Sequence, residues 1–176
     1  MLDKETIEKI KEHLFSNELN TYAIIDGAAC PELRFKIYDW EPQSACLWSG
    51  SLEPDMEEVA PYMVLLDKES TFTDWLITQG WENHWNVFIT SEFDFKVFRK
   101  QIRKLLLVKS PEGQNMVFRF YDPRVMHNFL PECEPDQIAE LFSGLDAIYY
   151  PNISDGKLIE TRCDEMMSEL TSVVLG

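Results

Sequence analysis

The chain has 176 residues, 45% hydrophobic and 12% aromatic, and its 16 Lys+Arg against 31 Asp+Glu give a formal net charge of −15. That is enough apolar material for one domain with a proper core, about 70% of its unfolded surface being buried at this size, and it excludes a disordered chain. The acidity argues against binding nucleic acid through phosphate neutralisation, and no apolar run approaches the roughly 20 residues of a membrane span. The charge is uneven. Residues 1–93 hold 6 Lys+Arg against 18 Asp+Glu (−12), residues 94–130 hold 8 against 3 (+5), and residues 131–176 hold 2 against 10 (−8). One basic segment therefore sits between two acidic ones. Such a charge keeps a protein in solution and can steer it towards a basic partner.

In chain order, "LDKETIEKIKEHLFS" places Leu2, Ile7, Ile10, Leu14 and Phe15 at three-to-four spacing and predicts an amphipathic helix. The start is charged, with no apolar h-region, so no signal peptide is expected and the location is read as cytoplasmic. "NTYAIIDGA" reads as a strand closed by a turn at Asp26-Gly27. "PELRFKIYDW" reads as a short helix with Pro31 in its first turn. "SACLWSG" and "PYMVLLD", the latter opened by Pro61, read as strands; "TFTDWLITQGW" reads as a helix stopped by Gly80, and "WNVFITS" as a strand. In "EFDFKVFRKQIRKLLLVKS", Phe95, Phe98, Ile102 and Leu105 mark one helical face, while Arg99, Lys100, Arg103 and Lys104 crowd the other. "LLLVKS" and "NMVFRFY" flank a "PEGQ" hairpin turn. "PRVMHNFL" and "PDQIAELFSGL" read as short helices, "DAIYYPN" and "GKLIETR" as strands, and "CDEMMSELTSVVL" as a terminal helix. The fold class expected is α/β: a mixed β-sheet flanked by helices, with a small, mainly helical C-terminal portion. The whole of 1–176 is read as one domain, in which 131–176 could form a small C-terminal lobe.

The chain has no GxxxxGK[ST], no GxGxxG after a strand, no GxSxG and no HExxH. His13, His84 and His127 fall in different elements, and His127 with Cys133 lacks paired metal-ligand spacing. Cys30, Cys46, Cys133 and Cys163 form no CxxC pair and are read as reduced thiols. Neither metal nor cofactor is expected. Asp26 sits at a strand end, where α/β enzymes place carboxylates, but Asp-Gly also makes a turn in which the carboxylate accepts backbone amides, and that is the stronger reading. Asp122-Pro123 suits an N-cap followed by the first helical residue. Arg119 and Tyr121 are then expected on one face of the preceding strand, with Phe118 and Phe120 on the other. An arginine so placed pairs with a carboxylate such as Asp122 or faces a partner.

"YAIIDGAACPEL", "LWSG" followed by "APYMVLL", "WLITQGW…WNVFITS" and "FRKQIRKLLLVKSPEGQNMVFRFYDPRVMHNFLP" occur in that order. Together they resemble the bacterial type VI secretion effector adaptor chaperones, a domain of unknown function (DUF4123), over about residues 20–150, with FRFYDPRV the most specific block. The resemblance implies a non-enzyme that holds a secreted toxic effector and helps load it on the valine-glycine repeat spike protein (VgrG). Two departures stand out. Gln101-Ile102-Arg103 replaces the His-Leu-Arg step that members commonly show, keeping the arginine alone. Many members also carry a further C-terminal helical region, so the gripping surface is expected to be smaller, or to be built in part by residues 131–176.

The resulting reading is a non-catalytic adaptor whose partner-binding residues are Arg103, Arg119, Tyr121 and Arg124, on a frame set by Asp26, Gly27, Pro61, Asp122 and Pro123. Aromatic and arginine anchors would grip the partner, and acidic margins would set orientation and on-rate. Two other classes stay open. One is an acidic immunity-type inhibitor of a toxin, and the other a small hydrolase or transferase using Asp26, Tyr121 and an arginine.

Overall fold

A computed structural model describes residues 2–48, 50–110, 112–152 and 154–175. Helix α1 (Lys4–Leu14) is capped by Asp3, whose carboxylate accepts the Thr6 amide. There follow β1 (Asn20–Asp26), α2 (Leu33–Trp40), β2 (Ser44–Cys46), α3 (Pro54–Val59), β3 (Pro61–Leu65), α4 (Thr71–Asn83) and β4 (Asn86–Ser91). The second half contains α5 (Phe95–Ile102), a 3-10 turn (Arg103–Leu106), the hairpin β5 (Leu107–Lys109) and β6 (Asn115–Val117), α6 (Pro123–Phe129) and α7 (Pro135–Leu141). Strands β7 (Ala147–Pro151), β8 (Leu158–Cys163) and β9 (Leu170–Leu175) end the described chain. Among the described residues no helix is long and apolar enough to cross a membrane.

Seven strands form one sheet in the order β2-β3-β1-β4-β7-β8-β9. Alternation along each strand feeds two cores. Tyr22, Ile24, Met63, Val87, Ile89, Ile148 and Tyr150 face α5, α6 and α7. Ala23, Ile25, Val64, Phe88, Ala147 and Tyr149 face α1, α2 and α4. The result is three layers, with helices on both sides of a sheet whose central strands are buried on both faces. Helix α5 is seated by Phe98, which stacks on Tyr22 with ring centroids 4.1 Å apart.

The α/β architecture and most elements agree with the sequence, and five details differ. Every pairing in the large sheet is antiparallel, where a mixture with parallel strands is expected. The expected terminal helix is the strand β9, reached through a turn in which Met167 takes φ +52; β9 pairs with β8, and β7 with β4, so the C-terminal segment extends the sheet. Helix α4 runs through Gly80 and stops at His84, which takes the left-handed φ of +54. Strand β6 ends at Val117, short of Arg119. Pro31 lies in the turn before α2, which begins at Leu33. Two residues of the quoted motifs, Ser49 in "LWSG" and Pro111 in "PEGQ", fall outside the described residues, although the β5–β6 pairing around the latter is formed.

Candidate functional site

The antiparallel β1–β3 register sets Asp26 opposite Pro61. Pro61 opens its strand, where its missing amide costs no ladder bond, and its carbonyl accepts the Leu47 amide at 2.9 Å. Gly27 donates its amide to the Ala60 carbonyl at 3.1 Å. A Cβ on Gly27 would lie 2.3 Å from that oxygen and 2.7 Å from the Glu58 carbonyl, so the approach admits only glycine. Asp26 closes the turn as the Asp-Gly pattern predicts. Its Oδ1 accepts the Ala28 amide at 3.0 Å, and its backbone carbonyl accepts the amides of Ala29 and Cys30.

The FRFYDPRV block meets this turn from the other side. After β6 the chain turns, with the Asp122 amide donating to the Arg119 carbonyl at 3.0 Å. Within that turn consecutive Phe120 and Tyr121 are both buried, at 1% and 3% exposure. The expectation that Arg119 and Tyr121 share a strand face is thus corrected: they occupy a turn. Asp122 caps α6 as expected, its Oδ1 accepting the Arg124 amide at 2.9 Å, with Pro123 next in the first helical turn.

Four side chains then alternate in sign. Arg119 Nη2 donates to Asp26 Oδ2 and stands 3.7 Å from Asp122 Oδ2. Arg124 grips Asp122 with both prongs, Nε to Oδ1 at 2.9 Å and Nη2 to Oδ2 at 2.8 Å. The carboxylates are buried (Asp26 side chain 3% exposed, Asp122 5%), while Arg119 and Arg124 are 46% and 54% exposed. Burial alone would raise the Asp122 pKa, but hydrogen bonds from the Arg124 side chain and backbone hold the carboxyl below the usual aspartate range. Burial works against the charge on Arg119, and its bond to Asp26 more than restores it. Burial pushes the Tyr121 phenol up, with the nearby Asp26 charge adding to the effect.

This arrangement presents guanidinium groups. Among the described residues Nη1 of Arg124 has no hydrogen-bond partner, while Arg119 hydrogen-bonds the Tyr121 phenol in addition to Asp26, and both guanidinium groups stay about half exposed. Of the four residues expected to bind a partner, Arg119, Tyr121 and Arg124 come together on the frame of Asp26, Gly27, Pro61, Asp122 and Pro123, but Tyr121 is buried in the core and is not a surface anchor. Arg103 stands apart. It lines a shallow depression of about 310 Å³ with Lys96, Arg99, Lys100 and Lys104. Arg99 is anchored by donating to the Cys46 carbonyl at 2.9 Å. The Asp26–Arg119 pair is what sequence reasoning missed, because 93 residues separate its members; an unassigned arginine beside a core aromatic was the only signal. Among the described residues no three of His, Cys, Asp and Glu stand where they could hold a metal ion.

Residues 21–140 match the model of a family described as "Domain of unknown function (DUF4123)", within the span over which the sequence motifs carry their resemblance. No curated protein and no solved structure matches the chain.

Proposed function

We propose that this chain, which belongs to the DUF4123 family, is a non-catalytic cytoplasmic adaptor that binds a secreted effector protein and delivers it to the VgrG-type spike of a type VI secretion apparatus. The observation that carries the reading is the row of two buried carboxylates holding two half-exposed arginines. A catalytic carboxylate needs a free oxygen and a pKa near the working pH. Asp26 instead spends its oxygens on the Ala28 amide and Arg119, and Asp122 is held acidic by Arg124. Such carboxylates orient arginines. A planar guanidinium fixed at one edge keeps its remaining donors aimed outward at a partner's carboxylates or carbonyls, with little side-chain entropy left to lose on binding.

The test is capture of both partners. Tagged chain, expressed with the toxin and the spike protein of its own secretion system, is expected to retain both through size-exclusion chromatography. Retention of the toxin alone would instead identify an inhibitor, and retention of neither would overturn the adaptor reading.

A further inference from the structure

We propose that the outer face of α5 and its 3-10 continuation docks a protein segment in which clustered carboxylates adjoin an aliphatic or aromatic anchor. This rests on the adaptor reading and deepens it by naming the chemistry of what is gripped at a surface separate from the arginine row.

The buried face of α5 is accounted for by the core, through Phe98 and Ile102. The opposite face carries Lys96, Arg99, Lys100, Arg103 and Lys104 around one depression. These cations are spaced three and four residues apart with no acid among them, a pattern in which like charges repel along the helix. Among the described residues none of them forms an ion pair. The helix macrodipole favours cations in the last turn, which explains Lys100 but not Lys96 in the first. Folding gives Arg99 the Cys46 carbonyl and Lys104 the Gln101 Oε1, but it supplies none of the five with a carboxylate, in a chain of net charge −15. A complementary anion supplies that missing charge.

Beside the depression lies an apolar trough of about 300 Å³, which shares Arg103 and is walled by Leu47, Trp48, Leu107 and Val117. Leu107 and Val117 are 62% and 53% exposed. A basic shelf against an apolar trough matches a segment with acids on one side and an apolar residue on the other. A nucleic acid or an anionic membrane would also meet the shelf, but the acidic remainder of the chain repels both polyanions.

The test uses a fluorescein-labelled peptide of alternating glutamate and leucine, its lysine-leucine counterpart, a single-stranded DNA oligomer and phosphatidylglycerol vesicles. The wild-type chain is expected to bind the acidic peptide alone, weakening about tenfold as salt rises from about 50 to about 300 mM. Lys100→Glu/Arg103→Glu/Lys104→Glu is expected to lose binding about tenfold or more. The milder Lys100→Gln/Lys104→Gln, with its melting curve, serves should the triple variant not fold. Unchanged peptide affinity in a folded variant, or tighter binding of DNA or vesicles than of peptide, would overturn the proposal. Should wild type and folded variant capture toxin and spike equally well, this surface is wrong and the adaptor reading stands. Should wild type bind the peptide but capture neither protein, the adaptor reading alone fails.

Discussion

Asp122 serves two purposes at once, capping α6 through Oδ1 and holding Arg124 through both oxygens. Asp122→Asn keeps a good cap and removes the charge, so it isolates the ionic part. We expect a loss of about 1–2 kcal/mol at neutral pH, since the arginines are half in water. The sign of its pH dependence follows from a folded pKa held below the unfolded one. The contribution is full above the unfolded value, about pH 4, and disappears as pH falls through the folded one. Urea melts of wild type and variant should therefore converge in acid; a gap that stayed constant down to pH 2 would rule out the ion pair as its cause. Gly27→Ala should cost about 1–3 kcal/mol, because its Cβ would enter the Ala60 carbonyl. An unchanged melting temperature would show that this wall yields. Both residues were legible in the sequence, since Asp-Gly and Asp-Pro act through neighbours a few positions away. Arg119 was only half legible, its partner being distant in the chain.

At the scale of elements, α5 was readable because its apolar positions recur at helical spacing. Strand β9 was not. Met166 and Met167 before it, with its own Leu170 and Val174, mimic that spacing, yet Met166 is 84% exposed in a turn, and the β-branched Thr171, Val173 and Val174 fit a pleated strand better. Gly80 misled in the other direction. It stays inside α4 because a Cβ there would stand 2.8 Å from Asn86 Oδ1, a demand of packing that looks like a stop signal. The helix-face repulsion yields its own prediction. Lys96→Glu places an acid in the first turn of α5, three residues from Arg99 and four from Lys100, and should stabilise the protein by about 0.2–0.5 kcal/mol for each new pair, with the macrodipole adding to the gain. A lower melting temperature for this variant would contradict the view that the cations are held at a cost to stability.

The whole molecule is a three-layer sandwich whose strand order was beyond the reach of the sequence. Strands β1 and β4 are buried on both faces and read as continuous apolar runs, the signature usual for parallel sheets. Burial sets that pattern; strand direction does not, and here every pairing of the large sheet is antiparallel. Charge organisation was readable from composition in part: Arg119 of the basic block is paired with Asp26 of the acidic one, whereas the α5 cations stay together on one surface. If it steers encounter with a partner, stopped-flow association should slow as salt rises while dissociation changes little. Association that ignores salt would remove steering from the account.

The central claim is that paired arginines at the FRFYDPRV block grip a partner, and it is tested most directly at Arg124. Its bidentate hold on Asp122 leaves Nη1 outward, and lysine cannot match that planar geometry. Affinity for the captured toxin and for the spike should be measured by calorimetry for wild type, Arg124→Ala and Arg124→Lys, each with a melting curve. The account predicts folded variants, with Arg124→Ala losing affinity for one partner about tenfold or more, as buried arginine contacts do, and Arg124→Lys recovering only part of it. Wild-type affinity for both partners in a folded Arg124→Ala variant would contradict it, leaving that arginine a brace for Asp122 alone.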